Sequence, residues 1–192
     1  MPPINLLIKP ASGRCNMRCR YCFYADETAR REVKDYGIMQ EDTLEALVKK
    51  ALDYAEFKCT FGFQGGEPTL CGLDFFRRVV ELQKKYNHKN LVIENALQTN
   101  GLLIDDEWAR FLAENKFLVG LSIDGSSAVH NKNRLDAKGE GTLRRVLEAV
   151  EHQESIAIYG DYDVDGVTSV TSLYLYLTGL GAKVTCYIPN RL

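Results

Sequence analysis

Apolar runs of strand length alternate with amphipathic stretches of helix length from about residue 4 to residue 188, and few folds accept that rhythm. Strands are expected at 4–9, 59–63, 91–97, 117–123, 156–159 and 183–188. Helices are expected at 41–56, 73–86, 105–115, 142–153 and 167–177. In the first helix Leu44, Leu47, Val48, Ala51 and Leu52 fall on one stripe, so one face is made to be buried. Strand–helix alternation of this kind specifies a parallel sheet with crossover helices, an α/β chain. A long polar loop is expected between the first strand and the first helix.

A change of composition falls near residue 152. Charged residues number 44 in the first 152 and 6 in the remaining 40, and three of those six are Asp161, Asp163 and Asp165. We therefore expect two domains, 1–152 and 153–192, the second a short βαβ segment. The overall balance of 24 basic against 26 acidic residues lacks the basic surplus that a phosphate backbone requires, which argues against a nucleic-acid partner. No apolar run approaches the roughly 18 residues of a membrane helix. The start, Met1-Pro2-Pro3, has no cationic region or cleavage site of a secretory leader, so no membrane and a cytoplasmic address are expected.

Three of the six cysteines, Cys15, Cys19 and Cys22, lie within eight residues, whereas Cys59, Cys71 and Cys186 stand singly. That is metal spacing rather than a disulfide framework. The triplet follows the first strand, at the carboxyl end where barrel-like sheets keep their sites. Thiolates suit an iron–sulfur cluster; a four-iron cluster held by three of them keeps one iron open for a ligand. The competing reading is structural zinc, which requires a closed set of four ligands, and His88, His130 and His152 are all distant in sequence.

Other strands also end in polar residues. Gln64-Gly65-Gly66-Glu67-Pro68 follows the second, and paired glycines let the backbone approach a ligand closely. Gln98-Thr99-Asn100 closes the third, and Ser122 and Asp124 close the fourth. Arg134 supplies a forked donor of the kind a carboxylate favours. His130 is read as a core or loop histidine.

The spacing of Cys15, Cys19 and Cys22 with Tyr21 before the last cysteine is the radical S-adenosylmethionine (SAM) signature. With Phe63 to Pro68, Leu97 to Gly101 and Leu121 to Gly125, it resembles the anaerobic sulfatase-maturating enzymes over most of residues 1–135. The resemblance implies a truncated partial (β/α) barrel and an oxidoreductase with a [4Fe-4S] cluster on Cys15, Cys19 and Cys22. It implies SAM held through its amino group by the turn at Gln64, Gly65, Gly66 and Glu67, and through its carboxylate by Ser122 and Arg134. Gln98 joins the cofactor-binding set, and Tyr24 faces the substrate. In such enzymes the reduced cluster cleaves SAM to a radical that abstracts hydrogen, and a Cys or Ser of a sulfatase becomes formylglycine. The implied partners are a sulfatase or other peptide and a one-electron donor such as ferredoxin or flavodoxin. The family pattern continues past this length with further strands, an acidic residue and cysteine sets for auxiliary clusters.

The tail, Ile156 to Ser169 and Tyr187 to Arg191, resembles instead the first motif region of RecJ-type DHH phosphoesterases. That resemblance implies Mn²⁺ ligation by Asp163 and Asp165. It makes a metal-dependent phosphoesterase or exonuclease fragment, or an inactive chimeric remnant, the alternative function. An EF-hand is rejected because its twelfth position is Ser172 rather than glutamate.

Overall fold

The computed structural model describes residues 3–145 together with the strands at 155–159 and 183–187 and the isolated position 178, the last strands as backbone only. The expected helices at 142–153 and 167–177 fall wholly or largely outside the described residues, as do Asp161, Asp163 and Asp165. Among the described residues no helix is long and apolar enough to cross a membrane.

The elements in chain order are β1 (Ile4–Ile8), α1 (Phe23–Arg30), α2 (Glu41–Tyr54), β2 (Lys58–Phe63), a 3₁₀ turn (Pro68–Cys71), α3 (Leu73–Tyr86), β3 (Val92–Thr99), α4 (Asp106–Glu114), β4 (Leu118–Leu121), α5 (Ser127–Asn133), β5 (Ser155–Tyr159) and β6 (Lys183–Tyr187). Every described strand pairing is parallel, as the alternation requires. The chain divides into two compact units, one of residues 1–15, 23–98 and 110–118, the other of 16–22, 99–109 and 119–192.

In the first unit β1 pairs with β2 and β2 with β3, with Ile8 opposite Phe63 and Phe63 opposite Leu97. Alternate residues of β2 turn inward, so Cys59, Phe61 and Phe63 are buried while Lys58, Thr60 and Gly62 are not. Phe63 meets Phe75, Phe76 and Phe117 in ring contacts 5.1–6.5 Å between centroids. Helix α2 buries Leu44, Val48, Ala51 and Leu52, the stripe expected from its spacing, with Leu47 only half-buried. Gln83 and Asn95 sit in this core and exchange amide hydrogen bonds of 2.7 and 3.0 Å, so neither buried amide is left without a partner.

In the second unit Gly120 of β4 pairs with Ala157 of β5, and β5 pairs with β6 from Ser155–Lys183 to Tyr159–Tyr187. The segment 16–22 is bound to the end of α5 and the residues that follow it. The Arg18 amide donates to the Leu135 carbonyl (2.7 Å) and the Arg20 amide to the Asn133 carbonyl (2.9 Å), and Met17 forms an antiparallel bridge with Asp136.

Two short helices, α1 and α5, occupy segments expected to be loop. Neither offers an apolar stripe: α1 buries no residue and α5 only His130. Each spans only about two turns, 8 and 7 residues, too short for the periodic signal that marked the others.

Candidate active site

Strand β1 ends at Ile8 and β2 at the residue paired with it, Phe63, so the loops that follow them leave the same edge of the first unit. They are bonded at two points: the Gln64 amide donates to the Ile8 carbonyl at 2.9 Å, and the Glu67 amide to the Arg14 carbonyl at 2.7 Å. The glycine turn therefore lies against the residue that precedes Cys15.

The glycines serve that approach. Gly66 has φ +58, and a Cβ there would stand 2.2 Å from the Arg14 carbonyl oxygen; one on Gly65, at φ +102, would meet the Lys9 side chain at 2.8 Å. Their close neighbours on the Cβ side are thus backbone and side chain of the protein itself. Glu67 is 1% exposed, and its carboxylate accepts from the Thr69 amide (3.1 Å) and hydroxyl (2.7 Å), capping the 3₁₀ turn. Gln98 lies half-buried on β3, one residue past Leu97.

Tyr24 stands in the first turn of α1, immediately after the cysteine loop. The Lys9 ammonium lies 5.0 Å from its ring centroid, and with Lys9, Ser12, Arg31 and Tyr36 it lines a recess of about 350 Å³ in the first unit.

Within the second unit the Cys22 amide donates to the Cys19 carbonyl at 3.2 Å, making a turn of the last part of the motif. The Asn100 amide nitrogen donates to Asn16 Oδ1 (2.8 Å), and the Ser122 amide to the Thr99 carbonyl (2.9 Å). Asp124 is the hub. One carboxylate oxygen accepts Arg134 Nε at 2.8 Å, the other accepts the Tyr21 hydroxyl, and the Arg134 guanidinium carbon lies 5.5 Å from the Tyr21 ring centroid.

His130 is fully buried, as a core histidine should be. Its Nδ1 accepts the Asp124 amide (3.3 Å) and its Nε2 lies 2.9 Å from Thr142 Oγ1, which itself donates to the Arg134 carbonyl (3.1 Å). A threonine hydroxyl that donates its one proton elsewhere accepts here, so the proton of His130 sits on Nε2. Asp124 and Thr142 are residues whose roles sequence reasoning did not find. Their partners lie 6 to 103 positions away, and only the terminal position of Asp124 on a strand hinted at it.

Cys15, Cys19 and Cys22 are not joined in disulfides, and each is half-buried. Burial pushes the Cys19 thiol up, and the nearby Arg134 guanidinium opposes that rise. Among the described residues no three His, Cys, Asp or Glu side chains converge as they would on a single metal ion. A four-iron cluster binds one thiolate per corner and sets its sulfur ligands farther apart, and residues 16–21 supply no carboxylate or imidazole to complete a zinc set. The donor set fits the cluster and not closed zinc.

A parallel α/β sheet with a three-cysteine loop at the carboxyl end of its first strand defines a class of cluster-bearing partial barrels. The Radical SAM superfamily profile matches residues 10–159, and the chain belongs to that superfamily. Residues aligned with the cysteine-type anaerobic sulfatase-maturating enzyme of Clostridium perfringens (strain ATCC 13124) are 58% identical over 151 positions, 79% of this chain and 41% of that protein. The serine-type anaerobic sulfatase-maturating enzyme of Klebsiella pneumoniae is 32% identical over 195 positions, 97% of this chain and 48% of that protein. The solved structure of native anSMEcpe with bound AdoMet superposes with a TM-score of 0.81 at 47% identity, over 97% of this chain and 52% of that one. The chain thus spans about half the length, or less, of these relatives. Its fold is the radical SAM partial barrel. None of these relatives is a phosphoesterase, and nothing described supports Mn²⁺ at Asp163 and Asp165.

Proposed function

We propose that this chain carries the cluster- and SAM-binding part of an anaerobic sulfatase-maturating enzyme, with a cysteine- or serine-containing sulfatase peptide as its substrate. The observation that carries the reading is the bond between the Glu67 amide and the Arg14 carbonyl, which anchors the glycine turn beside Cys15. Cys15, Cys19 and Cys22 would hold the [4Fe-4S] cluster; Gln64, Gly65, Gly66, Glu67, Gln98, Ser122 and Arg134 would hold SAM. Bound together, the two groups supply one-electron reduction of a sulfonium and abstraction of a hydrogen atom from the substrate.

The protein's own contribution is placement. The Arg134 guanidinium is paired with Asp124 through Nε, and its two terminal nitrogens would supply the donor pair a SAM carboxylate takes. Tyr24 and the recess beside it form the substrate side. A solved structure of anSMEcpe with bound AdoMet and Kp18Cys peptide, TM-score 0.80, supports a peptide as the substrate class. A low-potential protein such as ferredoxin or flavodoxin is the electron donor this chemistry requires.

The boundary near residue 152 belongs to the same reading. Identity is 58% where the Clostridium alignment covers 79% of the chain and 47% where the anSMEcpe superposition covers 97%. A drop of that size supports a tail of separate origin.

The test is anaerobic reconstitution with iron and sulfide, followed by electron paramagnetic resonance of the reduced protein with and without SAM. A signal shifted by SAM, and absent when Cys15, Cys19 and Cys22 are all alanine, is expected. A colourless protein, or a cluster indifferent to SAM, would refute the proposal.

A further inference from the structure

Arg134 is held at its side chain and at its backbone by one connected set of groups. At the side chain, Nε donates to Asp124 at 2.8 Å, and both residues are mostly buried, their side chains 16% and 19% exposed. At the backbone, the Arg134 amide donates to the His130 carbonyl (2.7 Å) and its carbonyl accepts from Thr142. His130, bonded to both Thr142 and the Asp124 amide, joins the two. The Tyr21 hydroxyl occupies the second Asp124 oxygen, and Tyr21 lies between Cys19 and Cys22. The cysteine segment is tied to this region again through the Arg18 and Arg20 amides.

A guanidinium on a flexible stem loses rotational freedom when it takes up a fixed geometry, and a partner at Nε removes that freedom beforehand. Once Nε is engaged, the Asp124 carboxylate restricts the guanidinium plane, and the edge formed by the two terminal nitrogens is left for a second carboxylate. We propose that Asp124 is a positioning residue, which with Tyr21 fixes the Arg134 guanidinium for a carboxylate ligand and links it to the cysteine loop. The ligand class is the α-carboxylate of an aminoacyl sulfonium, so the inference rests on the reading that Arg134 receives the SAM carboxylate.

Simple electrostatics predicts the reverse. If Asp124 acted only through its charge, removing it would leave Arg134 more attractive to an anion, and SAM would bind more tightly. Positioning predicts weaker binding confined to ligands that carry the carboxylate. Comparing SAM with decarboxylated SAM therefore distinguishes positioning from charge, and from general damage to the fold.

The experiment titrates the reconstituted 192-residue chain with SAM and with decarboxylated SAM, following the cluster's paramagnetic signal. The proteins are the parent, Asp124→Asn, Tyr21→Phe and Arg134→Ala, each assayed for iron. Asp124→Asn is expected to weaken SAM roughly tenfold, the order of one charge-assisted contact, with decarboxylated SAM unchanged and full iron content. Tyr21→Phe, which keeps the ring and is the milder change, should shift SAM in the same direction by a few-fold. Tighter SAM binding in Asp124→Asn, or equal weakening of both ligands in Asp124→Asn and Tyr21→Phe, would overturn the positioning role. If Arg134→Ala weakens SAM and decarboxylated SAM by the same factor, or weakens neither, the underlying carboxylate assignment is what has failed.

Discussion

The Arg14 carbonyl accepts the Glu67 amide at 2.7 Å, and no side chain larger than hydrogen fits at residue 66 beside it. The carboxyl ends of β1 and β2 are thereby joined one residue before the first cysteine. A Cβ at residue 66 would sit 2.2 Å from that carbonyl oxygen, in a backbone conformation with φ +58 that already disfavours one. Relief requires the two loops to part. Gly66→Ala is expected to lower stability by about 1–3 kcal/mol and to reduce iron uptake on reconstitution. Denaturant unfolding and iron analysis check both. Unaltered values for each would mean that the contact neither stabilises the fold nor shapes the cysteine loop.

The reciprocal amide pair Gln83–Asn95 gives a prediction about the core alone. Truncating one member leaves the other buried and unsatisfied, so Asn95→Ala should cost about 1–3 kcal/mol. Replacing both by leucine removes the need for partners, and Gln83→Leu with Asn95→Leu together should lie closer to the parent than Asn95→Ala does. Chemical denaturation of the three proteins tests the ordering.

The thiols should differ in reactivity before any iron is added. Cys59 is wholly buried on β2 and its thiol is pushed up to about 11 by desolvation; Cys71 is pushed to about 11 as well, with the Glu67 carboxylate adding to burial. At pH 8 a thiol of that kind is thiolate in roughly one molecule in a thousand. Iodoacetamide followed by peptide mass mapping should label Cys19, in the half-buried cysteine loop, ahead of Cys59 and Cys71. Equal labelling of Cys59 and Cys19 would show that β2 is not packed as described.

How far the sequence carries can be judged element by element. Strands and helices with a strong apolar period, such as β2, α2 and α3, fall within two residues of their expected ends, because period and burial report the same physics. Helices α1 and α5 escaped, since a helix of two turns that buries at most one residue is too short for a periodic trace. Single-residue chemistry was legible where spacing is local, as in the cysteine loop. It was not legible where distant residues meet: Tyr21 and Asp124 are 103 positions apart, and nothing in either neighbourhood names the other. In the glycine turn, the contact that demands Gly66 is with Arg14, which only the folded chain reveals.

His130 provides a pH signature for the second unit. Desolvation, reinforced by Arg134 and opposed by Asp124, lowers its basicity in the folded protein, and its Nδ1 is already occupied as an acceptor of the Asp124 amide. The unfolded chain therefore binds this proton at a higher pH than the folded chain does. With a histidine lowered on folding, stability is fully present above the unfolded value near 6.5 and is lost as pH falls below it, by at most about 1.4 kcal/mol per pH unit. Glutamine accepts and donates one hydrogen bond at similar reach but takes up no proton in this range, so His130→Gln should flatten the profile between about pH 7.5 and 5.5. His88 and His152 are common to both proteins and cancel in the difference. Equilibrium unfolding of parent and variant across that range decides the matter: parallel profiles would mean that His130 is protonated, or becomes so without cost, in the folded chain.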